Sequence, residues 1–117
     1  IENNYEKAEE ILDLAIEKMP IEDFGFYTLL EPFINSYYKI EKNEKARNIF
    51  EKIAVKYKEN LEYFSNISNT NKNRYTEEIY TDIERYRSLV DVLISYEEGE
   101  YLESKMKEFN DYLDLFL

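Results

Sequence analysis

The residues able to do chemistry in this 117-residue chain are carboxylates and tyrosines, because the sequence contains neither His nor Cys. Their absence removes the commonest zinc and redox ligands, the thiol nucleophile and the usual general base at neutral pH. Neighbouring side chains on a helix point to different sides, so adjacent carboxylates favour solvated helix faces over a catalytic or metal site. Such pairs occur at Glu9 and Glu10, Glu77 and Glu78, and Glu97 and Glu98. We therefore expect no catalytic residue, no metal site and no cofactor.

The charge of the chain excludes two classes of partner. Its 26 acidic and 15 basic residues give a net charge of -11. An acidic surface repels phosphate backbones and anionic membrane faces, so we expect no nucleic-acid partner. No uncharged apolar run approaches the 18 or so residues of a membrane span, so we expect no direct membrane insertion by this segment. A protein or a peptide remains as the expected partner.

Tyrosine is the abundant residue that combines an apolar body with a hydrogen-bonding tip, and the chain has 12 of them. Those on the apolar stripes are predicted to lie in the core: Tyr5, Tyr37, Tyr57, Tyr75 and Tyr86. Those beside the stripes are predicted to form a surface patch: Tyr38, Tyr63, Tyr80, Tyr101 and Tyr112.

The elements that carry these residues are predicted to be helices. Gly and Pro total only four, which excludes turn-rich β folds. Apolar residues recur every three or four positions, as in amphipathic helices. The predicted helices cover residues 4–19, 28–40, 43–58 with a short piece at 61–67, 75–96, and 102 to the last residue. Pro20 and a connector at 21–27 separate the first two, a loop is expected at 68–73, and Gly99 is predicted to cap the long helix at its C-terminus. The fold class is all-α, with antiparallel helical hairpins.

Two segments of the sequence are similar to each other, one around Ala8 and one around Ala46, 38 residues apart. The run from Glu6 to Pro20 resembles the second helix of a tetratricopeptide repeat, whose period is 34 residues. Ala8 and Ala15 stand where two helices approach closely, with Leu12 between them. Residues 33–50 resemble the next hairpin. The resemblance implies a superhelical stack of about five helices, with a tetratricopeptide-like part at 1–58 and a C-terminal cap at 59–117.

In a tetratricopeptide-like hairpin, the residues that face the concave surface would be Asn35, Tyr38 and Lys39. Such Asn and Lys side chains commonly bind peptide backbone or a terminal carboxylate. These three residues are the candidate peptide-facing site, although ordinary surface exposure explains them equally well. The first helix lacks a partner in such a hairpin, so its apolar surface could pair with a second copy of the chain.

A narrower resemblance covers most of the chain, through residues 26–68 and 77–93. These stretches resemble the soluble C-terminal helical domain of a bacterial membrane-protein family related to protein O-mannosyltransferases. The resemblance implies a single helical domain at 1–117, cut from a longer protein and exposed on the extracytoplasmic side. It implies a non-catalytic interaction or scaffold role, on the parent's membrane domain or on a partner polypeptide. The alternative is a cytosolic tetratricopeptide adaptor that binds a short peptide.

Overall fold

The structure, a computed structural model, describes residues 2–19 and 29–117. Throughout these residues the regular elements are helical and no strand is present, which confirms the all-α class. Pro20 and the predicted connector at 21–27 lie outside the described residues. The helices are α1 (Glu2–Lys18), α2 (Glu31–Lys39), α3 (Asn43–Ser65), α4 (Asn69–Arg74), α5 (Thr76–Tyr96) and α6 (Glu100–Asp114).

The chain divides into two compact units, residues 1–53 and 54–117, and the boundary falls inside α3. The assignment of these parts to a tetratricopeptide-like hairpin and its cap stays a prediction, as does their superhelical arrangement.

In the first unit α1 packs against α2, and the core is built from α2 and the first half of α3. Tyr37 is buried as predicted, Ile40 is also buried and Ile34 is fully buried, whereas Phe33 is only half-buried. Pro32 lies in the first turn of α2, where its missing N–H costs no hydrogen bond. The buried apolar residues are Leu30, Ile34, Tyr37, Tyr38, Ile40, Ala46, Ile49, Phe50 and Ile53.

The turn between α2 and α3 satisfies the last carbonyls of α2 in the pattern of a Schellman motif. The Glu41 N–H donates to the Tyr38 carbonyl at 3.0 Å, and the Lys42 N–H donates to the Tyr37 carbonyl at 2.9 Å. This pattern places Glu41 in the left-handed region, at φ 63°. Glycine usually occupies such a position because an L side chain is strained there.

In the second unit the core is centred on Tyr86 of α5. Its ring lies 6.3 Å from the Tyr57 ring, 5.0 Å edge-on from Phe109 and 6.3 Å from Tyr112. The cluster therefore joins the second half of α3 to α5 and α6. The core predictions for Tyr57 and Tyr86 are confirmed. The buried apolar residues of this unit are Ala54, Tyr57, Leu61, Ile79, Tyr86, Leu89, Val90, Leu93 and Phe109.

Two predicted boundaries in this region are wrong. The third helix does not end at Lys58 but runs without a break to Ser65, because Tyr57 and Leu61 continue its buried stripe. The predicted loop at 68–73 contains the short helix α4. Ser68 acts as its N-cap, with its hydroxyl accepting a hydrogen bond from the Asn71 N–H at 3.3 Å.

Gly99 has the positive φ that its predicted role requires, but it serves a different helix. α5 ends at Tyr96 with Glu97 in an extended conformation as its C-cap, and Gly99 is the N-cap residue of α6. Its φ of 86° and ψ of -152° lie in a region that is essentially confined to glycine. A Cβ at this position would meet no atom within 4 Å, so only the backbone requires glycine.

Opposite substitutions at the two positive-φ residues are expected to have opposite effects. Gly99→Ala should lower the free energy of unfolding by about 1–3 kcal/mol, because alanine is strained in this conformation. Glu41→Gly should raise it by about 0.5–1 kcal/mol, since relief of left-handed strain exceeds the added entropy of the unfolded chain. Urea denaturation followed by circular dichroism measures both changes.

The control for the second substitution is Glu41→Ala, which removes the same charge but keeps a Cβ and should therefore bring no gain. A Gly99→Ala protein as stable as the original, or a stabilising Glu41→Ala, would contradict the role assigned to backbone strain.

Candidate functional site

The predicted peptide-facing residues do not share one exposed surface. Lys39 is exposed and Asn35 is half-buried, but Tyr38 is only 6% exposed. The expectation that Tyr38 offers a ring at the surface is wrong, because Ile34, Tyr37 and Tyr38 lie at helical spacing and form one buried face of α2. The peptide-facing role of Asn35 and Lys39 stays a prediction.

The remaining predicted surface tyrosines divide into two groups. Tyr63 and Tyr80 are 62% and 65% exposed, as expected, whereas Tyr101 and Tyr112 are half-buried. The Tyr112 hydroxyl donates to Glu62 at 2.6 Å, and this hydrogen bond, together with burial, raises the pKa of Tyr112 to about 12. Tyr80 thus lies at the surface, whereas Tyr112 contacts Glu62 of α3.

A charged cluster joins α1 to α2 and α3 within the first unit. Lys45 Nζ lies 2.6 Å from Glu9 and 2.7 Å from Asp13, and Lys42 Nζ lies 3.4 Å from Glu9. The Tyr37 hydroxyl donates to Asp13 at 2.7 Å. The hydrogen bonds from Lys45 and Tyr37 hold the pKa of the Asp13 carboxyl below its usual value. This cluster is satisfied internally, so it is a structural joint between helices.

The second unit contains a similar joint between α3 and α6. Glu108 accepts from Lys58 at 2.6 Å and from Lys105 at 3.0 Å. Burial acts to raise the pKa of the Glu108 carboxyl, but the two lysines outweigh burial and bring the pKa below its ordinary value. Glu108 therefore links α3 to α6.

Asp82 is a carboxylate whose pKa is shifted in the opposite direction. It is buried in α5, and burial raises the pKa of its carboxyl despite the charge of Arg85 and a hydrogen bond from the Asn60 side chain. Glu78, one turn earlier on the helix, raises the pKa further. Asp82 lines a shallow pocket of about 410 Å³ that also includes Glu77 and Thr81.

The second unit has a groove of about 450 Å³ along α4, α5 and the last three residues. We call it the α4–α5 groove. Tyr80, Leu115 and Leu117 line it and are strongly exposed, while Ile79 lies at its base. Its lining residues are Asn69, Lys72, Asn73, Thr76, Ile79, Tyr80, Ile83, Leu115, Phe116 and Leu117.

One wall of the groove is polar at one end and apolar at the other. Asn69, Lys72, Asn73 and Thr76 recur at helical spacing and supply the polar end, and Ile79 and Ile83 follow at the same spacing as the apolar end. The sequence does not predict this wall, because the composition of residues 68–73 predicts a loop. The 3-and-4 spacing of its polar residues was the available signal.

α1 also exposes apolar side chains, with Ile11 68% and Leu14 51% accessible. The expected apolar surface on the first helix is thus present, and its pairing with a second copy stays a prediction.

In the described part of the chain, no helix is long and apolar enough to cross a membrane. Nor does any group of three or more acidic side chains in that part lie in an arrangement that could hold a metal ion. Comparison with protein-family models, with curated proteins and with solved structures gives no significant match.

Asp82→Asn is expected to raise the free energy of unfolding at pH 7. A carboxyl whose pKa is raised by folding destabilises the protein at a pH above its folded pKa, and this cost disappears below its unfolded pKa of about 3.9. The asparagine carries no charge to desolvate and can still bond to Asn60. The gain should therefore shrink as the pH falls from 7 to 4, which urea titrations at several pH values measure.

The matched control is Asp91→Asn, an exposed position on the same helix that loses the same charge. A gain of equal size in both variants, or a gain at Asp82 that does not depend on pH, would show that burial of the Asp82 charge is not its source.

Proposed function

We propose that this chain is a non-catalytic protein-interaction domain that binds a polypeptide segment in the α4–α5 groove. The observation that carries the proposal is the concave apolar surface formed by Tyr80, Leu115 and Leu117 beside the buried Ile79. Apolar surface clustered in a groove favours a binding role, whereas single exposed apolar residues need no explanation.

The chemistry of the lining also supports a peptide as the occupant. Tyr80 is an aromatic residue with a polar tip, a type enriched at protein interfaces. The amides of Asn69 and Asn73 can both donate to and accept from a peptide backbone. Together they combine the apolar anchor and the polar rim that peptide sites require.

Selection of peptides from a random display library on the 117-residue protein tests this function. We expect enriched peptides whose affinity falls at least about tenfold in Tyr80→Asp, a loss typical of an interface anchor. Fluorescence anisotropy measures the affinities, and circular dichroism checks that the variant is folded.

Tyr63→Asp is the matched control, since Tyr63 is equally exposed but lies outside the groove. Its affinity should stay within about twofold of the original. The proposal is overturned if no peptide is enriched, or if the enriched peptides bind Tyr80→Asp and Leu115→Asp as tightly as the original protein.

The sequence resemblance supports a second part of the proposal, that the domain is the extramembrane, extracytoplasmic helical part of a glycosyltransferase-like membrane protein. In that setting the groove would hold the parent's own membrane domain or a partner polypeptide. We expect the complete gene product to fractionate with membranes and its 117-residue segment to be accessible to protease only from the extracytoplasmic side. A full-length product that stays in the cytosolic fraction would contradict this placement.

The alternative, a cytosolic tetratricopeptide adaptor, depends on Asn35 and the exposed Lys39 of α2. Peptides from the same selection that lose affinity in Lys39→Gln and not in Tyr80→Asp would favour it.

A further inference from the structure

We propose that the exposed face of α1 pairs with the same face of a second copy of the chain, with the two helices parallel and in register. The face consists of two stripes that run side by side along the helix. One stripe is basic and apolar and the other is acidic, so the face complements itself in one orientation. The inference goes beyond the peptide-binding function, because the α4–α5 groove belongs to the other compact unit.

The first stripe is apolar in its middle and basic at its two ends. Its residues are exposed and recur at helical spacings of three and four, so they lie in one line along α1. Glu9 and Asp13, which contact α2 and α3, lie on another side of the helix. Within the described residues, no ion pair involves either lysine of the stripe. The stripe consists of Lys7, Ile11, Leu14 and Lys18.

The second stripe is acidic. Glu6, Glu10 and Glu17 are exposed and recur at spacings of four and seven, so they also follow one line along α1, beside the first stripe. In the part of the chain that the structure describes, their carboxylates take part in no ion pair. Glu6 directly precedes Lys7, and Glu17 directly precedes Lys18. The two borders of the face therefore carry opposite charges at the same levels along the helix.

Only one symmetric arrangement of two copies brings the unlike borders together. When the helices are parallel, the two-fold axis runs along them, and the acidic border of each copy meets the basic border of the other. Glu6 and Glu17 then lie opposite Lys7 and Lys18 of the second copy, and the symmetry doubles both pairs. When the helices are antiparallel, each border meets its own equivalent, so glutamates oppose glutamates. Charge therefore selects the parallel pair.

The apolar residues of the face supply the burial. Leu14 lies between the two borders, so it meets Leu14 of the second copy in a parallel pair. Ile11 lies nearer the basic border, so the two copies of Ile11 are on opposite sides of the contact. A face on one helix of 17 residues is smaller than the roughly 800 Å² per partner of a standard interface. The dimer is therefore weak and forms at protein concentrations of about 0.1–1 mM.

Disulfide cross-linking tests the orientation, because the chain has no cysteine of its own. In a glutathione buffer, Leu14→Cys should form linked dimers at least about tenfold faster than Tyr63→Cys, since two facing residues meet the distance that a disulfide requires. Tyr63 is an exposed residue of the second unit, so its variant measures cross-linking by random collision. Electrophoresis without reductant measures both rates.

Ile11→Cys should cross-link no faster than Tyr63→Cys. An antiparallel pair would instead place Ile11 opposite Leu14, so a mixture of Ile11→Cys and Leu14→Cys would give mainly the mixed dimer. That result would overturn the inference, as would equal rates for Leu14→Cys and Tyr63→Cys.

Charge exchange tests the ion pairs. Sedimentation measurements at about 0.15 M salt, which screens the repulsion between two copies of charge -11, give the dissociation constant of the dimer. Lys18→Glu should raise this constant at least about fivefold, because glutamates then oppose each other across the contact. Adding Glu17→Lys to Lys18→Glu should restore it to within about twofold, since the double variant rebuilds the pair with its charges exchanged.

The matched control is Lys18→Glu combined with Glu59→Lys, an exposed position outside α1. This variant has the same net charge as the exchanged pair but does not rebuild it, so its dimer should stay weak. Equal recovery in both double variants would show that net charge is the cause and would overturn the inference. A protein that is monomeric at about 1 mM overturns it as well.

Discussion

The structure depends on one uninterrupted helix, α3, which supplies buried side chains to both compact units. Its stripe continues from Ala46 and Phe50 in the first unit to Tyr57 and Leu61 in the second. Glycine or proline inside this stretch would interrupt the stripe, and the scarcity of both residues is consistent with that requirement. The aromatic cluster around Tyr86 then assembles on the second half of the same helix. Each unit therefore builds its core on its own half of α3.

Charge is distributed so that an acidic chain can still pack its helices. Where helices meet, lysines bring carboxylates together instead of leaving them opposed, as Lys45 does for Glu9 and Asp13. Lys58 and Lys105 do the same for Glu108 in the second unit. These pairs are partly exposed, so each contributes little energy alone, and their value lies in avoiding repulsion at the contacts. Lys72 differs because it faces a groove and not an opposing helix.

The sequence predicted the helical class and most of the buried stripes, because both follow from local spacing. It failed where a decision depended on tertiary contacts. The sequence places Tyr38 beside the main stripe, but Ile34, Tyr37 and Tyr38 form the face of α2 that packs inward. The composition of residues 68–73 is typical of a loop, but Ser68 caps this segment and α5 follows it, and the segment is helical. A positive φ at Gly99 could be expected from the sequence. Only the structure, in which α5 already ends before the extended Glu97, shows that Gly99 lies at the start of α6.

The groove could not be predicted for the same reason, since its two walls come from distant parts of the sequence. Residues 69–83 form one wall, and Leu115, Phe116 and Leu117 reach it only through the packing of α6 on α5. Taken alone, the first stretch begins as a polar turn of helix, and the second is a short apolar run. Their combination gives a groove that is polar where α4 lies and apolar where α5 lies. Because the groove needs both stretches, it exists only when α6 is packed on α5, and neither stretch predicts it alone.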